Sequence, residues 1–245
     1  MTVAAGLLER VRRIATMLRA DGRLLTLFLI MTVALFVFAR LASEMLEGDT
    51  LAFDRHLMMV LRSPLDVALP IGPRWLRTAM VDLTALGGVS VLTVLTMIVA
   101  GYLLVGRKAV TALFVVVAVS GGAILSTLLK SQFARPRPDI VAHLVDVSTT
   151  SFPSGHAMNS AIVYLTLGAL LARTQAERPP RIYILSVAIG LTLAIGASRV
   201  YLGVHWPSDV ASGWMVGAVW AILCSIVASR LQRKAIVEPP THTAE

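Results

Sequence analysis

Long apolar segments recur along the chain, and short polar connections separate them. A helix that crosses a membrane needs about 20 mostly apolar residues, and six segments meet this requirement. They cover residues 24–43, 81–105, 109–129, 156–172, 182–203 and 208–229. The pattern predicts an all-α, polytopic membrane protein with six transmembrane helices, in which the first apolar segment is a retained anchor.

The connection between the first and second spans, residues 46–77, has a different pattern. Phe53, Leu57 and Met58 are interspersed with charged residues at roughly helical spacing, which predicts a short amphipathic helix lying in the membrane interface. We expect Trp75 to act as an aromatic anchor there. Three prolines interrupt the connection. It is therefore interpreted as a structured loop, with a mobile linker as the alternative.

Composition and charge agree with a membrane protein. Of the 245 residues 56% are apolar and 15% charged, with a mean hydropathy of +0.77, whereas soluble domains are about 25% charged. The net charge of +8 raises the possibility of nucleic-acid binding. The basic residues, however, stand at the ends of apolar segments, so the predicted partner is the lipid bilayer and no nucleic acid. The single cysteine, Cys224, lies in an apolar segment and is predicted to pack there.

The distribution of cations predicts the orientation in the membrane. Of the 22 Lys and Arg residues, 13 fall on the side of the two termini and nine on the other side, four of these nine within polar clusters described below. The positive-inside rule then puts both termini in the cytoplasm. The predicted organisation is a cytoplasmic segment at 1–23, a six-helix domain at 24–229 and a cytoplasmic tail at 230–245. We expect the protein in the inner (plasma) membrane.

Three polar clusters interrupt the apolar pattern, and in this topology all three face the periplasm or the exterior. The first, at 130–138, leaves the third span; the second, at 151–156, opens the fourth; and the third, at 198–209, joins the fifth span to the sixth. Their common side was assigned from the remaining cations. Such a coincidence indicates one shared site.

The clusters contain groups suited to holding a phosphoryl group. Lys130, Arg137 and Arg199 supply three cations, which several anionic oxygens require, and cations near the membrane are costly without such a partner. Ser154 is a good helix N-cap. The backbone N–H groups that follow it, beside Gly155, are predicted to bind an anion at the positive end of the helix dipole.

Two histidines supply candidate catalytic groups. His205 and Asp209 are four residues apart around Pro207, a residue that suits the first helical position. The carboxylate can therefore hold the imidazole tautomer that exposes a nucleophilic nitrogen. His156 is then the candidate proton donor for the leaving oxygen. The clusters lack the group of carboxylates that hard cations prefer, so no metal site is predicted.

Each assignment has a structural alternative. Lys130 and Arg137 can be boundary cations at the lipid headgroups, His156 a capped residue at a helix start, and His205 with Asp209 a structural pair. Arg135 is interpreted as a headgroup contact. The glycine pairs at 87–88 and 121–122 lie inside apolar segments and are predicted to allow close helix packing. The joint occurrence of three clusters favours the functional interpretation.

The clusters resemble the three signatures of the type 2 phosphatidic acid phosphatase family. That family's pattern is Lys, six residues, Arg-Pro; then Pro-Ser-Gly-His; then Ser-Arg, five residues, His, three residues, Asp. The chain matches it at Lys130, Arg137, Pro138, Pro153, Ser154, Gly155, His156, Ser198, Arg199, His205 and Asp209. The resemblance extends over roughly residues 24–229.

The resemblance implies a metal-independent lipid phosphatase without a cofactor. Carried over to this chain, the resemblance implies that His205 attacks phosphorus, that Asp209 orients His205, and that His156 protonates the leaving group. Lys130, Arg137, Ser154, Gly155 and Arg199 then hold the phosphate oxygens. The list of implied substrates includes phosphatidic acid, phosphatidylglycerol phosphate, polyprenyl diphosphates and lipid A phosphates.

Three alternatives frame this expectation. The pattern is shared with soluble vanadium-dependent haloperoxidases, but six spans argue against that branch. A phosphotransferase that passes the phosphoryl group to another acceptor can use the same residues. A transporter is disfavoured, because its ionisable residues are expected near the middle of the spans. Among substrates, a recycled polyprenyl diphosphate of an undecaprenyl-diphosphatase-like branch is the leading expectation. The sequence leaves the oligomeric state open.

Overall fold

A computed structural model describes residues 2–48, 51–147 and 149–233, and within these ranges the chain forms eight helices. They are α1 (Thr2–Glu47), α2 (Leu51–Val60), α3 (Arg74–Ala85), α4 (Val89–Val105), α5 (Ala109–Gln132), α6 (Gly155–Arg173), α7 (Arg178–Tyr201) and α8 (Pro207–Arg233). Helix α6 is continuous through a π-helical turn at Ala161–Leu165. The predicted all-α, membrane-spanning fold class is confirmed.

Five of these helices are long and apolar enough to cross a membrane by themselves. They are the Leu24–Glu47 part of α1, α5, α6, α7 and α8. Helices α3 and α4 meet the requirement only as a pair and are bent by 53° against each other. Counted as one broken span, they complete the six that the sequence predicts.

The second span differs from its predicted bounds of 81–105. Helical structure already begins at Arg74, so Trp75 lies in the first turn of α3, where 69% of its surface is exposed. The helix then breaks at 86–88. Two consecutive glycines are unfavourable inside a helix, and Gly88 instead caps α4 with an extended backbone. The hydropathy pattern does not predict this bend, because the sequence is apolar on both sides of it.

The predicted amphipathic helix exists as α2. Phe53 and Val60 are exposed, at 63% and 59%. The buried face carries Asp54 and Met58, both fully buried, followed one turn later by buried Arg62. An inward carboxylate and guanidinium need polar partners, so this helix packs onto polar groups of the domain.

Glycines bring the helices around the site close together. A Cβ atom on Gly213 of α8 would lie 2.6 Å from the Ser154 carbonyl oxygen, and one on Gly217 would lie 2.5 Å from the Ala161 Cβ. Helix α8 therefore packs directly against the beginning of α6. The glycines at 121–122 pack closely against Trp220 and Ile162 as predicted. Gly87 also packs closely, against Ile195, but from the bend between α3 and α4.

Candidate active site

The eight predicted site residues lie at one end of the helix bundle. This end combines the last turn of α5, the first turn of α6, the last turn of α7 and the first turn of α8, with the adjoining loops. The residues are Lys130, Arg137, Ser154, Gly155, His156, Arg199, His205 and Asp209. Backbone contacts join the second and third clusters, because the Ser154 N–H donates to the Asp209 carbonyl over 3.0 Å.

His205 is buried between two kinds of neighbour. Its Nδ1 lies 3.4 Å from Asp209 Oδ2, and its Nε2 lies 3.3 Å from Arg137 Nη1. Burial lowers the pKa of His205 to about 4, although the Asp209 carboxylate acts in the opposite direction. The imidazole is therefore neutral near pH 7, and its contact with Asp209 is a long hydrogen-bond contact between an N–H group and a carboxylate.

Asp209 is held by several donors at the start of α8. Its Oδ2 accepts the Trp206 backbone N–H over 3.0 Å and a short hydrogen bond from the Ser151 hydroxyl. Its Oδ1 accepts from Arg135 Nη1 over 2.5 Å. A fully buried carboxylate requires such donors. The Asp209 side chain is therefore fixed in one orientation, with Oδ2 facing the Nδ1 side of the imidazole.

Lys130 and Arg137 are aligned by the loop before α6. Lys130 Nζ donates to Thr149 Oγ1 and to the Thr150 carbonyl, over 3.1 and 3.0 Å. Arg137 Nε donates to the Thr149 carbonyl over 2.7 Å and Arg137 Nη1 to the Val204 carbonyl over 2.6 Å. Both side chains contact Thr149, so the two cations lie close together although they are seven residues apart in the first cluster.

Two buried donors of the site have no hydrogen-bond partner among the described residues. They are Arg199 Nε and Ser154 Oγ. Arg199 is otherwise held by Thr84 of α3, whose hydroxyl accepts from Nη1 over 3.0 Å. Buried polar groups are nearly always hydrogen-bonded, so unpaired donors beside three cations suit an anionic ligand.

Gly155 and His156 begin α6 beside these groups. A Cβ atom at Gly155 would lie 3.1 Å from Lys130 Cε, so a glycine permits the lysine to cross the helix start. His156 interacts electrostatically with Arg199, His205 and Lys130. Its ring also packs against the α3–α4 bend, where a Cβ at Gly87 would be 3.4 Å from its Cδ2. The arrangement can surround one tetrahedral anion with cations, N–H donors and two imidazoles.

Arg135 differs from its predicted role as a headgroup contact. It is only 7% exposed and forms ion pairs with Asp209, over 2.5 Å, and with Asp54, over 2.8 Å. Sequence reasoning also missed Asp54, Ser151 and Thr84, because their partners are distant in sequence. The sequence feature that could have indicated Asp54 is its position four residues before Met58, on the same face of α2.

Among the described residues, no group of three or more His, Cys, Asp or Glu side chains could hold a metal ion. The charged groups that meet at the site are mainly cations. Their partners are backbone carbonyls, hydroxyls and the buried carboxylates of Asp54 and Asp209.

Comparisons with known proteins identify the family. The PAP2 superfamily model matches residues 109–233. Phosphatidylglycerophosphatase B of Bacillus subtilis is 33% identical over 169 residues, 68% of this chain and 82% of that protein. The undecaprenyl-diphosphatase of Sulfolobus acidocaldarius is 38% identical over 76 residues, 31% of this chain and 32% of that protein.

A solved structure supports the same assignment. The crystal structure of a transmembrane phosphatidylglycerolphosphate phosphatase from Bacillus subtilis matches with a TM-score of 0.69 at 28% identity, over 83% of this chain and 98% of that chain. The three clusters that carry the resemblance lie within the residues matched by the family model. The predicted resemblance is confirmed: the chain belongs to the PAP2 superfamily and is a multi-pass membrane phosphatase, a hydrolase of phosphoric monoesters or diphosphates.

Proposed function

We propose that the protein removes the terminal phosphate of a membrane lipid through a phosphohistidine on His205, with phosphatidylglycerol phosphate as the leading substrate. The substrate proposal draws on the relative and the solved structure that bear this activity in their names. It replaces a polyprenyl diphosphate as the first candidate, because the similarity to the undecaprenyl-diphosphatase covers less of the chain. The observation that carries the mechanism is the contact of Arg137 with His205 Nε2.

The first chemical step forms a phosphorus–nitrogen bond. The lone pair of His205 Nε2 attacks phosphorus, and the bond from phosphorus to the lipid oxygen breaks. The electron pair of that bond goes to the lipid oxygen, which takes a proton from His156 to become the alcohol. Lys130, Arg137 and Arg199 stabilise the charge on the phosphoryl oxygens, together with Ser154 and the backbone N–H of Gly155.

The second step returns the enzyme to its starting state. A water molecule attacks the phosphohistidine, gives a proton to His156, and the phosphorus–nitrogen bond breaks with its electrons returning to Nε2. Inorganic phosphate leaves. Asp209 stabilises the imidazole throughout, because its carboxylate faces the Nδ1 side of the ring. Because the protein's own cations neutralise the developing charge, we propose that a divalent metal is not required.

The experiment is phosphate release from a panel of lipids in detergent micelles, using purified protein and its His205→Ala variant. The panel contains phosphatidylglycerol phosphate, phosphatidic acid and a polyprenyl diphosphate. We expect the first to give the highest kcat/KM and His205→Ala to release none. His56→Ala is the matched control, because His56 is exposed on α2. A higher kcat/KM on the polyprenyl diphosphate would overturn the substrate proposal.

The intermediate is tested by quenching turnover with labelled substrate. An acid-labile, base-stable phosphate should appear on wild-type protein and be absent from His205→Ala. His156→Ala should turn over roughly 10²–10⁴-fold more slowly, because it loses the proton donor. Full activity in His205→Ala would refute the mechanism. Loss of activity in EDTA, with recovery on adding Mg²⁺ or Zn²⁺, would instead favour a metal-dependent reaction.

A further inference from the structure

We propose that Arg135 and Asp54 are positioning residues, which act through Asp209 on His205. This inference rests on the proposed function, since it assigns how the proposed nucleophile is held. Arg135 is at a variable position inside the first signature, and Asp54 lies on α2, outside the three polar clusters. Both are buried, Asp54 completely and Arg135 with 7% exposure.

The guanidinium of Arg135 bridges two buried carboxylates. Nη1 donates to Asp209 Oδ1 over 2.5 Å, and Nη2 donates to Asp54 Oδ2 over 2.8 Å. The carbon at the centre of the guanidinium lies 5.5 Å from the centre of the Trp206 ring. A planar fork that donates in two directions and lies over an aromatic ring has a defined orientation. Asp209 Oδ1 therefore has a fixed partner.

Asp54 holds the backbone from which Asp209 projects. Its Oδ1 accepts the Ser208 backbone N–H over 2.9 Å, and its Oδ2 accepts the Ser208 hydroxyl over 2.5 Å. Ser208 is in the first turn of α8, where backbone N–H groups need acceptors and favour negative charge. Asp54 thus caps α8 from another helix and pairs with Arg135 at the same time.

The two oxygens of Asp209 consequently have separate partners. Oδ1 is engaged by Arg135, while Oδ2 faces His205 Nδ1, Ser151 and the Trp206 N–H. Without Arg135 the carboxylate is held through the contacts of Oδ2, so the angle at which it faces the imidazole is less firmly fixed. A shift of this kind changes the orientation of the nucleophile and leaves the phosphate-binding cations untouched. It should lower kcat more than it raises KM.

The test compares Arg135→Met in two backgrounds. In the wild-type background we expect kcat to fall about 10–100-fold, the usual effect of removing a residue that orients a functional group, with KM little changed. In the Asp209→Asn background the same substitution should cost much less, because Arg135 acts through that carboxylate. Asp54→Asn, which keeps an acceptor for the Ser208 N–H, should lower kcat in the same direction by a smaller factor.

Stability is separated from positioning by a double variant. Arg135→Met leaves both Asp54 and Asp209 buried without their shared cation, which is destabilising; adding Asp54→Asn removes one of the two charges. The double variant should regain part of the lost melting temperature but not kcat. If kcat returns together with the melting temperature, or if Arg135→Met costs the same factor in the Asp209→Asn background, the positioning role is overturned.

Two controls complete the design. Arg55→Met removes an exposed guanidinium next to Asp54 and should leave kcat and KM unchanged. His205→Ala separates failure of the proposed function from failure of the positioning role. If His205→Ala is active, the proposed function itself fails; if it is inactive while Arg135→Met and Asp54→Asn have wild-type kcat, the further inference alone fails.

Discussion

Arg137 Nη1 lies 3.3 Å from His205 Nε2. A guanidinium has only donors, so the imidazole nitrogen in this contact presents its lone pair. The ring proton then resides on Nδ1, the side of Asp209 and Ser151. The neighbours of the imidazole therefore favour the tautomer in which Nε2 carries the lone pair, next to a cation that an incoming phosphoryl group would contact.

The first prediction concerns the titration of His205. Burial lowers its pKa to about 4, so the imidazole is neutral through neutral pH and becomes protonated as the pH falls through about 4. Protonation removes the Nε2 lone pair and with it the nucleophile. Histidine-ring NMR in detergent should show one signal, missing in His205→Ala, that titrates near pH 4. A titration near the ordinary value of 6.5 would contradict this environment.

The same measurement on Asp209→Asn gives the sign of the carboxylate's effect. Asp209 raises the pKa of His205 against the larger effect of burial. Its neutralisation should therefore move the His205 titration to still lower pH. A shift to higher pH in Asp209→Asn would mean that the carboxylate is not the anion that acts on this ring.

The second prediction concerns the shape of Arg199. Its Nη1 donates to Thr84 Oγ1 over 3.0 Å, while its buried Nε has no partner among the described residues. Lysine keeps the charge, but an ammonium cannot donate to Thr84 and to a phosphoryl oxygen with the same planar geometry. We expect Arg199→Lys to lower kcat about 10²–10³-fold, as for the loss of an oxyanion-hole donor.

Arg55→Lys is the matched control for this substitution, because Arg55 is exposed on α2. It should retain wild-type kcat. Both proteins are compared by phosphate release from the same lipid, after gel filtration has shown equal folding. If Arg199→Lys turns over like wild type, the arginine has only a structural role between α3 and α7.

The local part of the site was predictable, and its remote supports were not. His205 and Asp209 are four residues apart, and Ser154 to His156 are consecutive, so short spacing reveals their chemistry. Asp54 is 81 residues from Arg135 and 154 from Ser208. Only the packing of α2 against the start of α8 brings them together, and no local pattern encodes that packing.

Hydropathy also limited the prediction of the fold. It measures how apolar a segment is, and therefore found the spans while missing the bend at 86–88 and the buried polar face of α2. A membrane protein can expose Phe53 and bury Asp54, because its apolar surroundings need not be its interior. The usual rule that the apolar face packs inward fails there.

The third prediction concerns the orientation in the membrane. The 13 to five distribution of cations outside the clusters predicts that the site is on the outer side. Ala142 and Ala176 are exposed in loops on opposite sides of this topology. In a Cys224→Ser background, Ala142→Cys should react with an impermeant thiol reagent in intact cells, and Ala176→Cys only after permeabilisation. The reverse labelling pattern would invert the orientation.

The last prediction concerns Gly87 in the α3–α4 bend. A Cβ atom there would lie 2.4 Å from Ile195 Cγ2 and 3.4 Å from His156 Cδ2. Ile195 is fully buried, so the clash must move α7 or the beginning of α6. We expect Gly87→Ala to lower stability by about 1–3 kcal/mol, the usual cost of overpacking, and to lower kcat by displacing His156.

Adding Ile195→Ala to Gly87→Ala removes the atom of closest contact, so the two substitutions together should cost less stability and less kcat than the sum of their separate effects. Gly101→Ala in α4 is the control, because no atom lies within 4 Å of its added Cβ and alanine favours a helix over glycine by about 1 kcal/mol. It should melt at or above the wild-type temperature, with unchanged kcat. Wild-type melting and turnover in Gly87→Ala would mean that the bend does not hold His156, since a rigid contact at 2.4 Å from Ile195 cannot accept a methyl group without movement.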